Sequence, residues 1–564
     1  MADPKILPHG GVLHLLSAIP TVRAKALMNG RVSNFSSTSH GTSSSKLDRE
    51  IEQLRRIYTL LFPDTKILVL IVARPPERFE RPVELSLDRP HDLLMALEER
   101  AVKLVINEHL PGNPTAAYRI TADFESAYAA SAGGHPSRLP FKWRAFTLFR
   151  RITTARAPLL YERLKHRYVM RLSRRSLHST RRLIYKQPVD TSGVPSVDPK
   201  PEVKRALVAM HWLDVGGAEK FAVQCCKQLH AAGYDVHVIG AHISKPFYQQ
   251  QLEKFATVYT QDRQVPPGHE VRFLYEFASK YRVDLIHNHH NIYLYNSLPV
   301  LRTLGIQTTV IDSLHIDERI GGGFPRISGI WSSYLDYHHV ISLRLQHELT
   351  RQYVSNDKIL FGHLAGDLSA PAQYNIEASL QKKKVRVAFV GRMTWQKRPL
   401  IFIAAIQRLR RKLSALGYEL SAEVVGDGKY ADAAHAAARH HHLDKIIRFL
   451  PPDSDVDAVL KRNDILLITS ENEGITLVAF EAIRNGCIVI STDVGAQREL
   501  IPESLLTSAE PGACVKDCVR IVRNLVQSAD FRKQIEHDLT EKILHFNNLP
   551  RAEDVLFRIY GEQA

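Results

Sequence analysis

In the stretch SENEGITLVAFEAIRNGC, residues 470–487, Glu473 and Glu481 bracket an almost wholly apolar run. Glu481 interrupts an apolar run, flanked by Val478, Phe480, Ala482 and Ile483. A buried carboxylate without donors is costly, so this position calls for a partner. Ribose hydroxyls would serve, and so would a salt bridge to a neighbouring Arg or Lys. DILLITS reads as a strand, SENEG as the loop at its end and ITLVAFEAIRNG as a helix closed by glycine. Glu473 then lies in the loop and Glu481 about two turns into the helix, with a rise of roughly 12 Å between them. Between the acids, the amides of Gly474, Ile475 and Thr476 stand at a helix start, where a phosphate is stabilised.

Two further loops carry complementary chemistry. In GRMTWQKRP, Arg392 offers a planar fork of donors and Lys397 a point charge, a pair suited to a diphosphate, with Pro399 at a helix start. A solvated basic surface loop is the plainer alternative. In DVGGAEK, Gly216 and Gly217 precede a helix and let backbone N–H groups approach an anion. A simple tight turn has the same composition. GxGxxG and GxxxxGK[ST] are both absent.

The elements that position these loops repeat twice. ALVAMHWL, DVHVIGA, DLIHN, TTVIDS and HHVIS are short apolar strands separated by helix-length amphipathic stretches; VRVAFVG, AEVVGDG, IIRFL, DILLITS and CIVIST form a second such series. The α/β reading is therefore two Rossmann-like, doubly wound domains, 205–370 and 371–545, whose strand ends and following loops share a cleft. A helical stretch, 546–564, follows them. Before them come a tail expected to be disordered (1–46), Ser/Thr-rich over 33–46, a small α/β module (47–137), a basic segment (138–186) and a Pro/Ser/Asp linker (187–204).

The formal net charge of +16 is concentrated. Residues 138–186 hold fifteen Lys/Arg against one acid, Glu162, so basic and acidic residues nearly balance elsewhere. Leu160, Leu164, Tyr168 and Leu172 recur beside Arg163, Arg167, Arg171 and Arg175, giving adjacent apolar and basic helical stripes. Such a helix either lies on an anionic membrane or packs on its own protein. Nucleic acid is not indicated, because no binding fold accompanies the charge. The five cysteines form neither a CxxC pair nor a ligand-like spacing with His, which fits a reducing cytosol and no metal site. No secretory leader or spanning helix is predicted. DSDVD at 453–457 contains DxD but follows Pro451-Pro452 as a helix-capping loop.

Taken in order, DVGGAEK, DLIHNHH, GRMTWQKRP, VVGDG, SENEGITLVAFEA and STDVGAQREL resemble the landmarks of family-4 retaining glycosyltransferases of the GT-B fold, over about residues 203–545. The resemblance implies that Arg392 and Lys397 grip a donor diphosphate and that Glu481 binds ribose hydroxyls. It implies that Glu473 lies beside the donor sugar and that Gly216 and Gly217 approach phosphate and acceptor. His289 corresponds to the histidine near the reacting sugar, with His287, His290 and His315 as less specific neighbours. The implied reaction moves a sugar from a nucleoside diphosphate sugar to a hydroxyl acceptor with retention, with no cofactor and no required metal. The glycan or lipid-linked acceptor would be met in the cytoplasm or at the cytoplasmic membrane face. A nucleotide-sugar epimerase or a catalytically idle scaffold of the same fold are the alternatives. HLAGD at 363–367 departs from the family's Asn-Gly pattern there.

Overall fold

The computed structural model describes residues 41–73, 80–85, 101–122, 150, 152–176, 203–214, 216–242, 247–318, 322–364, 368, 371 and 373–562. Val, Ile, Leu and Ala dominate most of the strands in the two large sheets, which suits strands covered by helices on both faces. The first, smaller sheet belongs to the extension. It contains β1 (Ile67–Ala73), β2 (Val83–Leu85), β3 (Ala101–Ile106) and β4 (Ala116–Ala122), in the order β2-β4-β1-β3. Only β1 and β4 run parallel. The second sheet has seven parallel strands: β5 (Arg205–Met210), β6 (Asp235–Gly240), β7 (Ala256–Thr260), β8 (Leu285–His289), β9 (Thr309–Leu314), β10 (Tyr337–Val340) and β11 (Ile359–Phe361). Their order, β11-β10-β9-β8-β5-β6-β7, reverses direction beside β5, so the loop after β5 opens at the switch point.

The third sheet has six parallel strands, β12 (Lys384–Val390), β13 (Glu419–Val425), β14 (Ile447–Leu450), β15 (Ile465–Ile468), β16 (Ile488–Thr492) and β17 (Leu506–Thr507), ordered β14-β13-β12-β15-β16-β17. Its switch point falls between β12 and β15. The loops after those two strands are the ones that carry Arg392, Lys397 and Glu473. Two doubly wound α/β domains of the GT-B kind are thus present, as the strand series predicts. The helix Ala552–Glu562 returns to the first domain, where Leu556, Ile559 and Tyr560 join its core.

The extension is divided between the two domains. Its helix Gly41–Leu61 begins inside the stretch expected to be a disordered tail, and its Ile51, Leu54, Ile57 and Tyr58 share a core with Phe273 and Phe277 of the first domain. Buried Arg263 pairs with Glu50 at 2.6 Å on the same interface. The second piece, helix Pro158–Ser176 from the basic segment, packs instead on the second domain. Its Leu159 and Tyr161 rest against that domain's core. The 187–204 linker lies outside the described residues, apart from its last two positions.

Candidate active site

The loop after β15 and the helix behind it place the two glutamates. The helix spans Leu477–Arg484, so it begins later than the sequence pattern indicates and Glu481 stands in its second turn. Thr476 is the N-cap, and its amide donates to Gln497 Oε1 at 3.3 Å while its hydroxyl accepts from Gln497 Nε2 at 2.8 Å. The Thr476 amide is therefore already engaged, contrary to the expectation that it faces a ligand. Gly474 is required by close approach across the domain boundary. A Cβ there would lie 1.9 Å from the His315 carbonyl oxygen. Asp317 strengthens the contact, its amide donating to the Glu473 carbonyl at 3.2 Å. Ile475 is buried.

Lys397 and Glu473 meet directly, with Nζ 2.6 Å from Oε1 and side chains only 19% and 8% exposed. Withdrawal from water strengthens this attraction and makes it costly to remove either partner alone. Arg392, by contrast, is exposed, and its guanidinium lies 5.8 Å from the centre of the Trp212 ring, which follows β5 in the opposite domain. A cation–aromatic contact thus crosses the cleft.

Glu481 is half-buried, and burial pushes its carboxyl pKa up, with Lys220 opposing the shift. Among the described residues no salt bridge reaches it within 4.0 Å. The ion-pair alternative for this acid is not realised. It borders a cavity of about 260 Å³ together with Gly217, Lys220, Leu477 and Arg484. Gly217 opens the helix Gly217–Ala231, and a Cβ on it would meet the Leu477 side chain at 3.2 Å. Gly216 is extended, and an added Cβ would fall 2.0 Å from the Glu219 carboxylate. Gly217 therefore serves close approach to the second domain, whereas the flexible Glu219 side chain is all that a Cβ on Gly216 would displace, and neither glycine makes a left-handed turn.

His289 closes β8, a strand buried along its whole length despite two histidines and an asparagine. Its Nδ1 lies 3.1 Å from His315 Nε2, and the two rings stack. Its Nε2 is buried with no protein partner. Burial first, then the neighbouring His287 and His315, hold its pKa well below the usual histidine range. The ring is neutral, with one nitrogen to donate and one to accept. His287 is less available, since both its nitrogens are engaged, by Tyr560 and Ser313, each at 2.8 Å.

Sequence reasoning missed the group that stiffens the loop. Arg398 is fully buried with left-handed backbone (φ 49°). It donates to the carbonyls of Thr469, Ser470 and Ala509 at 2.6, 2.9 and 2.7 Å and to Glu471 at 2.7 Å. Glu471 also meets His166 of the extension at 3.1 Å. Lys220 was missed as well, although it stands only three residues beyond the glycine pair. Asp455 caps the helix Val456–Arg462 by accepting from the Ala458 amide at 3.1 Å, the capping arrangement read for DSDVD.

Two parallel-sheet domains facing each other across these groups are the GT-B arrangement. Residues 215–359 match the profile of Glycosyltransferase Family 4 and residues 373–537 that of glycosyl transferases group 1, together more than half of the chain, and the protein belongs to this family. Among curated relatives, the D-inositol 3-phosphate glycosyltransferase of Salinispora arenicola is 28% identical over 222 residues, 36% of this chain and 48% of that protein. One component of the phosphatidylinositol N-acetylglucosaminyltransferase of Homo sapiens is 22% identical, over 53% of this chain and 63% of its own. The chain thus spans about half to two thirds of the length of these relatives. The GalNAc-alpha-(1->4)-GalNAc-alpha-(1->3)-diNAcBac-PP-undecaprenol alpha-1,4-N-acetyl-D-galactosaminyltransferase of Campylobacter jejuni is 22% identical, over 59% of this chain and 92% of its own. A solved structure of Anabaena HepE in complex with UDP and glucose aligns with 64% of this chain and 98% of its own, at 15% identity and a TM-score of 0.46.

Proposed function

We propose that the protein transfers a sugar from a nucleoside diphosphate sugar to a hydroxyl of a glycan or lipid-linked acceptor, with retention at the anomeric carbon. The observation that carries this reading is Glu481: a partly desolvated carboxylate without an ion pair, bordering a cavity, suits the two hydroxyls of a ribose. Arg392 and Lys397 are then the cations for the diphosphate, and the amides of Gly216, Gly217, Gly474 and Ile475 are its neutral donors. In the unliganded site Lys397 is neutralised by Glu473. Donor entry lets Lys397 share its donors with phosphate and frees Glu473 to accept from sugar hydroxyls.

Retention follows from front-face attack. The bond from the anomeric carbon to the diphosphate oxygen breaks, the acceptor oxygen bonds to the same face, and its proton passes to the departing phosphate. Neutral His289 and its partner His315 suit the rim of such a site, because they offer hydrogen bonds without adding a charge that competes for the leaving group. Two protein cations stabilise the leaving group in this scheme, so a metal is not required. A cytoplasmic, membrane-peripheral setting belongs to the same reading. Among the described residues no helix is long and apolar enough to cross a membrane, and two of the relatives are named for phosphatidylinositol and for undecaprenol. Thermal shift across a panel of nucleotide sugars tests the reading. A donor at a hundred times its dissociation constant adds about 2.7 kcal/mol to stability. No shift from any nucleotide sugar would overturn it.

A further inference from the structure

An ordinary amphipathic helix buries its apolar stripe, whereas the helix Pro158–Ser176 leaves one such stripe outside. Here Glu162, Lys165 and His166 face the protein beside Leu159 and Tyr161, while the stripe of Leu160, Leu164 and Tyr168 does not. Glu162 is fully buried and pairs with Lys165 at 2.6 Å, and His166 reaches Glu471. Tyr161 and Lys165 lie against Tyr430. On the flank, Arg163 pairs with Glu510 at 3.3 Å. Leu160, Leu164 and Tyr168 are left outside, 55%, 55% and 64% exposed.

Cations share that outer face. Arg167 and Arg171 are exposed beside the apolar row, and Arg150, Ile152 and Arg156 are exposed just before the helix. The segment's single acid points inward, so the described outer face bears positive charge and apolar surface with no negative group. Exposing three large apolar groups in a row is unfavourable in water unless something covers them.

We infer that this face is a docking surface for an anionic phospholipid bilayer, with Leu160, Leu164 and Tyr168 entering the acyl boundary and Arg167 and Arg171 at the headgroup phosphates. A flat lipid surface fits better than a protein groove, because apolar and basic rows alternate along one exposed side, as on interfacial helices. This deepens the membrane-peripheral part of the proposed function, and it ties the membrane to the donor site through one helix. The inner face of that helix contacts Glu471, two residues before Glu473 and itself bound to Arg398.

The test is flotation of the full chain with vesicles of phosphatidylcholine alone and of phosphatidylcholine mixed with phosphatidylglycerol. Wild type should float only with the anionic vesicles, and less as salt is raised. R167E/R171E should weaken binding at least about 30-fold, taking roughly fivefold for each lost charge. L160S/L164S/Y168S should also abolish flotation, and the nucleotide-induced thermal shift should remain in both variants. That shift reports the donor site separately, so loss of the functional reading and loss of this one are distinguishable. Wild-type binding that is absent or independent of phosphatidylglycerol overturns the inference, as does either variant floating like wild type.

Discussion

Replacing Glu481 with Gln keeps the side chain's shape and removes its charge, and the structure assigns opposite signs to its effects on stability and on binding. In the folded protein burial raises the Glu481 pKa and Lys220 only partly offsets this. A carboxyl whose folded pKa exceeds its unfolded value contributes stability fully below the unfolded pKa, and that contribution is lost as pH rises through the folded value. At neutral pH the ionised form therefore costs stability, and Gln removes the cost. E481Q should melt at or above the wild-type temperature at neutral pH, and the difference should close as the pH falls toward the range where free Glu protonates. The gain is small because solvent screens a side chain only partly withdrawn from water. Nucleotide binding should move the other way. A hydrogen bond to a charged acceptor contributes about 1.5–3 kcal/mol against about 0.5–1.5 for the neutral one Gln retains, so losing the charge should weaken affinity by about 1–1.5 kcal/mol, roughly 5- to 13-fold. Differential scanning fluorimetry across pH and nucleotide titration of the same samples measure both. A variant that is less stable without ligand but binds nucleotide like wild type would make Glu481 a structural acid and refute the reasoning.

Adjacent residues should separate structure from function. Arg398→Leu should cost about 3–5 kcal/mol in denaturant unfolding, because it strips the cation from the buried Glu471 carboxylate, where His166 stays, and a donor from three carbonyls, of which Ser470 keeps the Thr492 hydroxyl; an unchanged midpoint would show that the loop does not depend on it. Burial holds His287 and His290 at pKa values of about 3, so each is neutral in the fold and protonated in the unfolded chain below pH about 6.5. Their contribution is complete above that pH and is lost as pH falls, about 2 kcal/mol each by pH 5, and a flat stability profile between pH 7.5 and 5 would contradict neutral burial. Turnover should survive a chelator. A complete loss restored by manganese would return the diphosphate to a metal.

Much of this architecture was legible because its signals are local. Strands such as VRVAFV and DILLI announce themselves by composition, and the loops after them sit where the sheet order reverses, so Arg392, Lys397 and Glu473 could be assigned to a cleft from spacing alone. β4, AAYRITA, and β7, ATVYT, were not read, because small and polar residues dilute the apolar pattern. The Lys397–Glu473 pair joins residues 76 positions apart, and nothing in either loop specifies it. Arg398 was hidden for the opposite reason: it looks like one more cation in a basic loop, and only its carbonyl cage distinguishes it from Lys397. The outward-facing leucines of the basic segment were equally invisible, since a helical stripe shows which residues share a face and not which face is covered.

The central claim is that a nucleoside diphosphate is held between the two domains by Arg392 and Lys397. Calorimetric titration of wild type, Arg392→Ala and Lys397→Ala with a panel of nucleoside diphosphates tests it most directly. At least one should bind wild type and bind each variant more than tenfold more weakly, given about 1.5–3 kcal/mol per charged hydrogen bond. Equal affinities in all three proteins, or no binding by wild type, would contradict it.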